Sequence, residues 1–88
     1  MNIMPDRFVK LEEVLGCDDI EAIGYAETTR RLYIKRPGKA PLCYEGVPRF
    51  RYSGFLTCPP NKRDTYFKTQ IQPVFAVKEI PQIPGDVD

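Results

Sequence analysis

Three short breaks divide this chain and limit every regular element to a short segment. They read PG at residues 37–38, GVP at 46–48 and CPP at 58–60. Proline fixes its own backbone angle, lacks an amide hydrogen and disfavours helical geometry in the residue before it. Neither a long helix nor a long central strand can therefore run through these points, and the chain predicts a small domain of short elements.

Alternating apolar residues before the second break predict an antiparallel sheet. Residues 20–25 and 31–35 each alternate between two faces, and the polar linker AETTR between them has the length of a hairpin turn. The PG pair at 37–38 is a second turn signal. A third strand is predicted at residues 41–45, which end at the GVP break.

Helical spacing follows this break. Pro48 suits the first position of a helix, and Tyr52, Phe55 and Leu56 then recur at i, i+3 and i+4 as one apolar stripe. We expect this helix to end at the CPP break.

A second short helix is predicted from Phe67 and Ile71, which share a face four residues apart. Asp64 is expected to cap this helix through its carboxylate, which leaves residues 61–63 as an exposed basic loop. Pro73 should end it.

The two ends of the chain carry weaker signals. Residues 11–15 have the spacing of one helical turn, and residues 74–80 are typical of a final strand or an extended docking arm. Residues 81–88 contain two prolines and are acidic, so we expect a flexible tail. The predicted fold class is α+β, a small antiparallel β-sheet with two short helices packed on one face, in a single domain over residues 1–80.

Composition narrows the class of protein. The 88 residues suit one domain, and no apolar run is long enough to span a membrane or to form the core of a signal peptide. The three cysteines at positions 17, 43 and 58 are odd in number and contain no CxxC pair. Such spacing favours reduced, buried thiols over a disulfide framework or a zinc site, and we expect a cytoplasmic protein.

The sequence argues against an enzyme. Histidine, the commonest general base near neutral pH and a common metal ligand, does not occur in the chain. Asp18 and Asp19 are adjacent, and neighbours on a strand point to opposite faces, so a turn explains them better than a catalytic pair. Cys58 has no accompanying base. We therefore expect no catalytic residues, no metal and no cofactor.

The net charge of +1 conceals a segregation of charge along the chain. Residues 1–29 hold two basic and seven acidic side chains, residues 30–68 hold ten basic and two acidic, and residues 69–88 hold one basic and three acidic. A basic segment of this kind is typical of a face that binds a polyanion. It is equally typical of a solvated surface that the acidic segments neutralise in the folded state.

The first functional hypothesis is a module that binds RNA or another nucleic acid through a basic face at residues 30–68. Arginines beside aromatic residues can contact phosphates and stack on unpaired bases. The candidate phosphate contacts are Arg30, Arg31, Lys35, Arg36, Arg49, Arg51, Lys62, Arg63 and Lys68. Tyr33 is the main candidate for stacking because it is expected to face solvent, whereas Tyr44 and Tyr52 are also explained as partly buried core residues.

The second hypothesis is a phage or bacterial protein-interaction or inhibitor module that binds a host protein. Phe50 between Arg49 and Arg51 would be a suitable anchor, since aromatic residues and arginine dominate interface energetics. Residues 74–80 could offer a strand edge for pairing. A variant of this hypothesis is a protein that sequesters a nucleotide, with the basic loop at 61–63 holding its phosphates.

Four segments together resemble a known family. In order they read IGY at 23–25, LYI at 32–34, YEGVP at 44–48 and YF at 66–67. They are similar to the KTSC domain, which occurs alone in bacterial and phage proteins and at the C-terminus of some lysyl-tRNA synthetases. The resemblance covers about residues 18–75 and implies a small α+β fold. The family has no established activity, and its synthetase context has suggested RNA binding.

The chain departs from the family pattern at three places. Leu42 stands where the family has the first tyrosine of a Tyr-x-Tyr motif, so that only Tyr44 remains. Residues 57–65 replace a small-residue stretch of the Ala-x-Ser-x-Gly type, and Lys68 stands where the family has asparagine. The resemblance therefore supports the fold more than any role of the loop at 57–65.

Overall fold

The computed structural model describes residues 8–85 of the chain, which form an α+β domain. Five strands and two helices follow one another as β1 (Leu11–Glu13), β2 (Ala22–Ala26), β3 (Arg31–Arg36), β4 (Lys39–Glu45), α1 (Arg49–Thr57), α2 (Pro60–Tyr66) and β5 (Ala76–Glu79). A π-helical segment (Phe67–Ile71) directly continues α2. The strands are all antiparallel and lie in chain order in one sheet. The predicted fold class is confirmed.

Two tight turns set the register of the central strands. Strand β2 pairs with β3 so that Ile23 lies opposite Ile34, and the turn between them ends at Arg30, which has a positive φ of 56°. Strands β3 and β4 are joined by the two residues at 37–38, where Gly38 supplies a φ of 69° that glycine adopts without strain. Both hairpins agree with the turn signals in the sequence.

The helices cover one face of the sheet and enclose the main core. The predicted stripe on α1 is present, with Phe55 fully buried and Tyr52 and Leu56 partly buried. The buried residues of this helix-covered face are Val14, Cys17, Ile20, Ile23, Leu32, Ile34, Tyr44, Val47, Phe55, Phe67 and Ile71.

The opposite face of the sheet is closed by segments near both ends of the described residues 8–85. Val9 and Ile83 are buried there against Tyr33 and Cys43, and the amide of Val9 donates to the carbonyl of Pro84 at 3.0 Å. The sequence predicts a flexible tail over residues 81–88; within residues 81–85 the structure places Ile83 in a buried position against this face. Residues 86–88 of the predicted tail lie outside the described residues.

The N-terminal part of the chain forms a strand where the sequence predicts a helical turn. Leu11 pairs with Gly24 across β1 and β2. A side chain at Gly24 would collide with Val9, since its Cβ would lie 2.4 Å from Cγ1 of that residue. Glycine at this position therefore lets the first strand lie close against β2, and pairing with an open sheet edge outweighs the weak helical spacing.

The second helix starts earlier than predicted. It begins at Pro60, because a proline suits the first helical position, and it includes residues 61–63, which are therefore not a loop. Asp64 lies within the helix and does not cap it. Its carboxylate instead forms an ion pair of 3.0 Å with Lys68, one turn later.

Residues 76–79 form an edge strand. Strand β5 pairs with β4 and places Val77 opposite Tyr44, so the strand alternative is correct for this segment and the docking-arm alternative is not. No helix among the described residues 8–85 has the length and apolar character needed to cross a membrane.

Candidate binding surfaces

The GVP corner between β4 and α1 is a structural joint. The Tyr25 hydroxyl donates to the carbonyl of Val47 at 2.6 Å, and the amide of Val47 donates to the carbonyl of Arg30 at 3.0 Å. Val47 itself is fully buried. Pro48 is extended, with φ −71° and ψ 152°, and directs the chain into α1. The joint thereby fixes where the first turn of α1 and the turn at Arg30 meet.

An exposed aromatic side chain lies beside this joint, at the start of α1. Phe50 is 65% exposed, and the guanidinium of Arg51 lies 5.1 Å from the centroid of its ring. Arg49 is also exposed and forms an ion pair with Glu27 from the turn between β2 and β3. We refer to Arg30, Arg49, Phe50 and Arg51 as the α1 surface.

Tyr52 does not extend this surface. Its ring stacks on that of Tyr25, with centroids 5.0 Å apart and an angle of 15° between the rings. Burial raises the pKa of both hydroxyls. One face of the Tyr52 ring is therefore occupied within the protein, as expected for a partly buried core residue.

Arg63 is a structural residue. Its two terminal nitrogens donate to the carbonyl of Leu15 at 3.2 Å and to the carbonyl of Leu56 at 2.9 Å, and its guanidinium lies 6.0 Å from the centroid of Phe55. Its Nε is buried and has no hydrogen-bond partner among residues 8–85. These contacts join α2 to the end of α1 and to the segment after β1, so Arg63 is not available to a ligand.

The other candidates are distributed over both sides of the sheet. Tyr33 is buried on the face opposite the helices, because its neighbours Leu32 and Ile34 occupy the helix-covered face. Alternation along β3 places Arg31 and Lys35 on the same side as Tyr33. The expectation that Tyr33 faces solvent is therefore wrong, and the predicted basic face is not one continuous surface.

Arg36 and Lys68 meet at a groove that we call the hairpin groove. It lies between the β3–β4 hairpin and the helical residues after Arg63, and its volume is about 200 Å³. Arg36 is held by hydrogen bonds from Nε to the carbonyl of Ala40 at 2.8 Å and from the guanidinium to Glu79 at 3.2 Å. The residues that line the groove are Asp19, Ile20, Ile34, Arg36, Pro37, Lys39, Leu42, Tyr44, Asp64, Phe67, Lys68 and Gln72.

Comparison with known proteins identifies the family. The KTSC domain matches the chain over residues 18–75, which is more than half of its length. The chain belongs to the KTSC domain family. It is also similar to the crystal structure of a KTSC domain protein from Yersinia pestis, with a TM-score of 0.71 and 25% sequence identity over 83% of this chain and 99% of that chain. No curated protein is similar to it in sequence.

Two of the three departures of this KTSC domain from the family pattern lie close together in space. Leu42 and Tyr44 both face the hairpin groove, and so does Lys68, whereas Tyr66 donates from α2 to the carbonyl of Arg51 at 3.3 Å. Lys39 also lines the groove. Only its charge singles out Lys39 in the sequence, because its neighbours at the groove come from distant parts of the chain.

The three thiols of the KTSC domain are all unpaired. Cys17 and Cys43 are buried, and burial raises the pKa of both, which keeps them protonated near neutral pH. Within residues 8–85, no three potential metal-ligating side chains come together.

Proposed function

We propose that this KTSC domain is a non-enzymatic module that binds single-stranded nucleic acid, RNA foremost, through the α1 surface in the cytoplasm. The observation that carries this proposal is the 65% exposure of Phe50 between two arginines. An exposed aromatic ring offers a stacking platform to any base, and adjacent guanidinium groups can pair with the flanking phosphates.

The position of the α1 surface supports this proposal. Arg30 and Arg49 converge there from different elements, because the carbonyl of Arg30 and the amide of Val47 are bonded at the joint. The contact of Arg51 with the Phe50 ring orders the platform before a ligand arrives. The ion pair with Glu27 offsets part of the charge of Arg49, so the α1 surface attracts phosphates only moderately. A moderate attraction favours a short stretch of single strand over a long duplex backbone.

Fluorescence anisotropy can test the proposal. A labelled single-stranded RNA and a DNA of the same sequence would each be titrated with the protein at two salt concentrations. We expect micromolar binding that weakens with salt, and a smaller salt dependence for the Arg49→Ala/Arg51→Ala double variant. Phe50→Ala should weaken binding by about 1–3 kcal/mol, the usual contribution of one stacked base.

Lys62→Ala is the matched control, because Lys62 is an exposed basic residue on α2 outside the α1 surface. It should retain nearly full binding. Equal losses for Lys62→Ala and the double variant would indicate diffuse attraction to charge, and the α1 surface would then not be the site. Absence of binding at low salt by the folded protein would exclude nucleic acid as the ligand.

A protein partner is the second candidate, and the same side chain favours it. An exposed phenylalanine flanked by arginines also has the composition of an interface anchor, so the domain could act as a phage or bacterial inhibitor module on a host protein. The nucleotide-sequestering variant loses its support, because residues 61–63 are helical and Arg63 is engaged within the protein. Purification partners lost on Phe50→Ala, with no nucleic-acid binding, would favour the protein partner.

A further inference from the structure

The hairpin groove has an apolar floor and a charged rim. Ile34, Leu42 and Phe67 contribute the apolar side chains, and the π-helical segment that carries Phe67 forms one wall. Single π-helical turns within helices are frequent at functional sites. With a volume of about 200 Å³, the groove is smaller than a typical ligand pocket and suits a compact molecule.

Tyr44 presents an unused hydroxyl to this groove. The residue is only 1% exposed, and its ring packs edge-on against Phe67 at 5.6 Å between centroids. Within the described part of the chain its hydroxyl has no hydrogen-bond partner, although the residue lines the groove. The hydroxyl oxygen itself is not fully enclosed, so it opens onto the groove, where a ligand could accept its hydrogen bond.

The charges at the rim select the kind of ligand. Lys68 is engaged by Asp64, and Arg36 is held in place by Glu79 and Ala40. Lys39 has no ion pair among residues 8–85, so its ammonium group is free to contact an anion.

Two carboxylates limit how much negative charge the groove accepts. Asp19 and Asp64 lie on the same lining as the three basic residues. A chain of phosphates would meet both, whereas a single oxyanion near Lys39 and Tyr44 would not require their displacement. The balance of charge therefore favours one anionic group over a polyanion.

We propose that the hairpin groove binds a compact organic anion. Its oxyanion group, a carboxylate or a phosphate monoester, accepts a hydrogen bond from the Tyr44 hydroxyl and pairs with Lys39 and the fixed guanidinium of Arg36. Its apolar body lies on Ile34, Leu42 and Phe67. This site is separate from the α1 surface. The proposal for the groove does not depend on whether the α1 surface binds nucleic acid.

Amide NMR titrations with four probes test the proposal. Phenyl phosphate and benzoate carry an apolar ring with a phosphate or a carboxylate, benzyl alcohol carries the ring without charge, and inorganic phosphate carries the charge without a ring. We expect one or both aromatic anions to shift the amides of Leu42, Tyr44 and Phe67 saturably. Benzyl alcohol and inorganic phosphate should each bind at least about tenfold more weakly, since each lacks one of the two interactions.

Two variants test the assigned contacts. Tyr44→Phe removes only the hydroxyl and should weaken binding of the aromatic anion about tenfold, as expected for a hydrogen bond to a charged group. Lys39→Ala should weaken binding of the aromatic anion and leave the affinity for benzyl alcohol unchanged. Lys62→Ala should change neither affinity. Unchanged affinity in Tyr44→Phe, equal affinity for benzyl alcohol, or no saturable shift with either anion would each overturn the proposal.

Discussion

The two faces of the sheet are closed in different ways. Within residues 8–85, the helix-covered face holds a buried cluster of eleven residues, to which α1 and the π-helical segment contribute large side chains such as Phe55 and Phe67. In the same part of the chain the opposite face holds a buried cluster of four residues, and the covering side chains Val9 and Ile83 come from near its two ends. Each face depends on the strand β3, whose residues alternate between them. The difference indicates that the helix-covered face carries most of the stability, while the opposite face can open locally.

Among variants of the two faces, truncation of Phe55 should give the largest loss of stability. Phe55→Ala leaves a cavity at the centre of the helix-covered face and should lower the free energy of unfolding by about 3–5 kcal/mol. Urea denaturation measures this loss in the free energy of unfolding. Phe50→Ala is the control, since it removes the same side chain from a 65% exposed position of the same helix. Comparable losses for both variants would mean that α1 does not pack as described.

Truncation of Ile83 tests the opposite face. Ile83 is 1% exposed, so Ile83→Ala should cost about 2 kcal/mol, the lower end of the range for buried isoleucine. The lower end applies because only a short terminal segment must rearrange around the cavity. Val77→Ala, on the exposed edge strand β5, should cost less than about 1 kcal/mol. A wild-type denaturation curve for Ile83→Ala would support the prediction of a flexible segment from residue 81.

The third prediction concerns two neighbouring basic residues on α2. Arg63→Ala removes the bonds to Leu15 and Leu56 that hold the helices over their face, and it should cost about 1–3 kcal/mol. Lys62→Ala should stay within about 0.5 kcal/mol, because Lys62 is exposed. Thermal denaturation of both variants measures the difference. Equal stability would show that the guanidinium contacts of Arg63 contribute nothing.

Local signals in the sequence were sufficient for much of the fold. The turn at residues 37–38 and the stripe through Phe55 were predictable because each depends on residues within one hairpin or one helix. Strand β1 and the burial of Ile83 were not, since both depend on a surface formed by distant strands. A weak local preference in the sequence is outweighed by packing wherever such a surface is available.

The candidate binding surfaces likewise combine residues that local sequence predicts with residues that it does not. The exposed Arg49 and half-buried Arg51 at the start of α1 follow from the helix stripe, because residues 49 and 51 fall off its apolar side. The role of Arg63 could not be predicted, as its partner Leu15 is 48 residues away along the chain. The hairpin groove combines residues before β2, on the β3–β4 hairpin and on the helical residues after it, so that no single stretch of sequence indicates it.

The smallest predicted effect separates two tyrosines that both pack on the helix-covered face. Tyr25→Phe removes a 2.6 Å hydrogen bond to Val47 and should cost about 1 kcal/mol. Tyr44→Phe removes a hydroxyl with no partner in the described structure and should leave the free energy of unfolding unchanged within about 0.5 kcal/mol. Urea denaturation of the two variants, which differ from the native protein by one oxygen atom each, measures this directly. If Tyr44→Phe costs as much as Tyr25→Phe, the Tyr44 hydroxyl is bonded within the folded protein, and the hairpin groove loses the donor that a ligand would use.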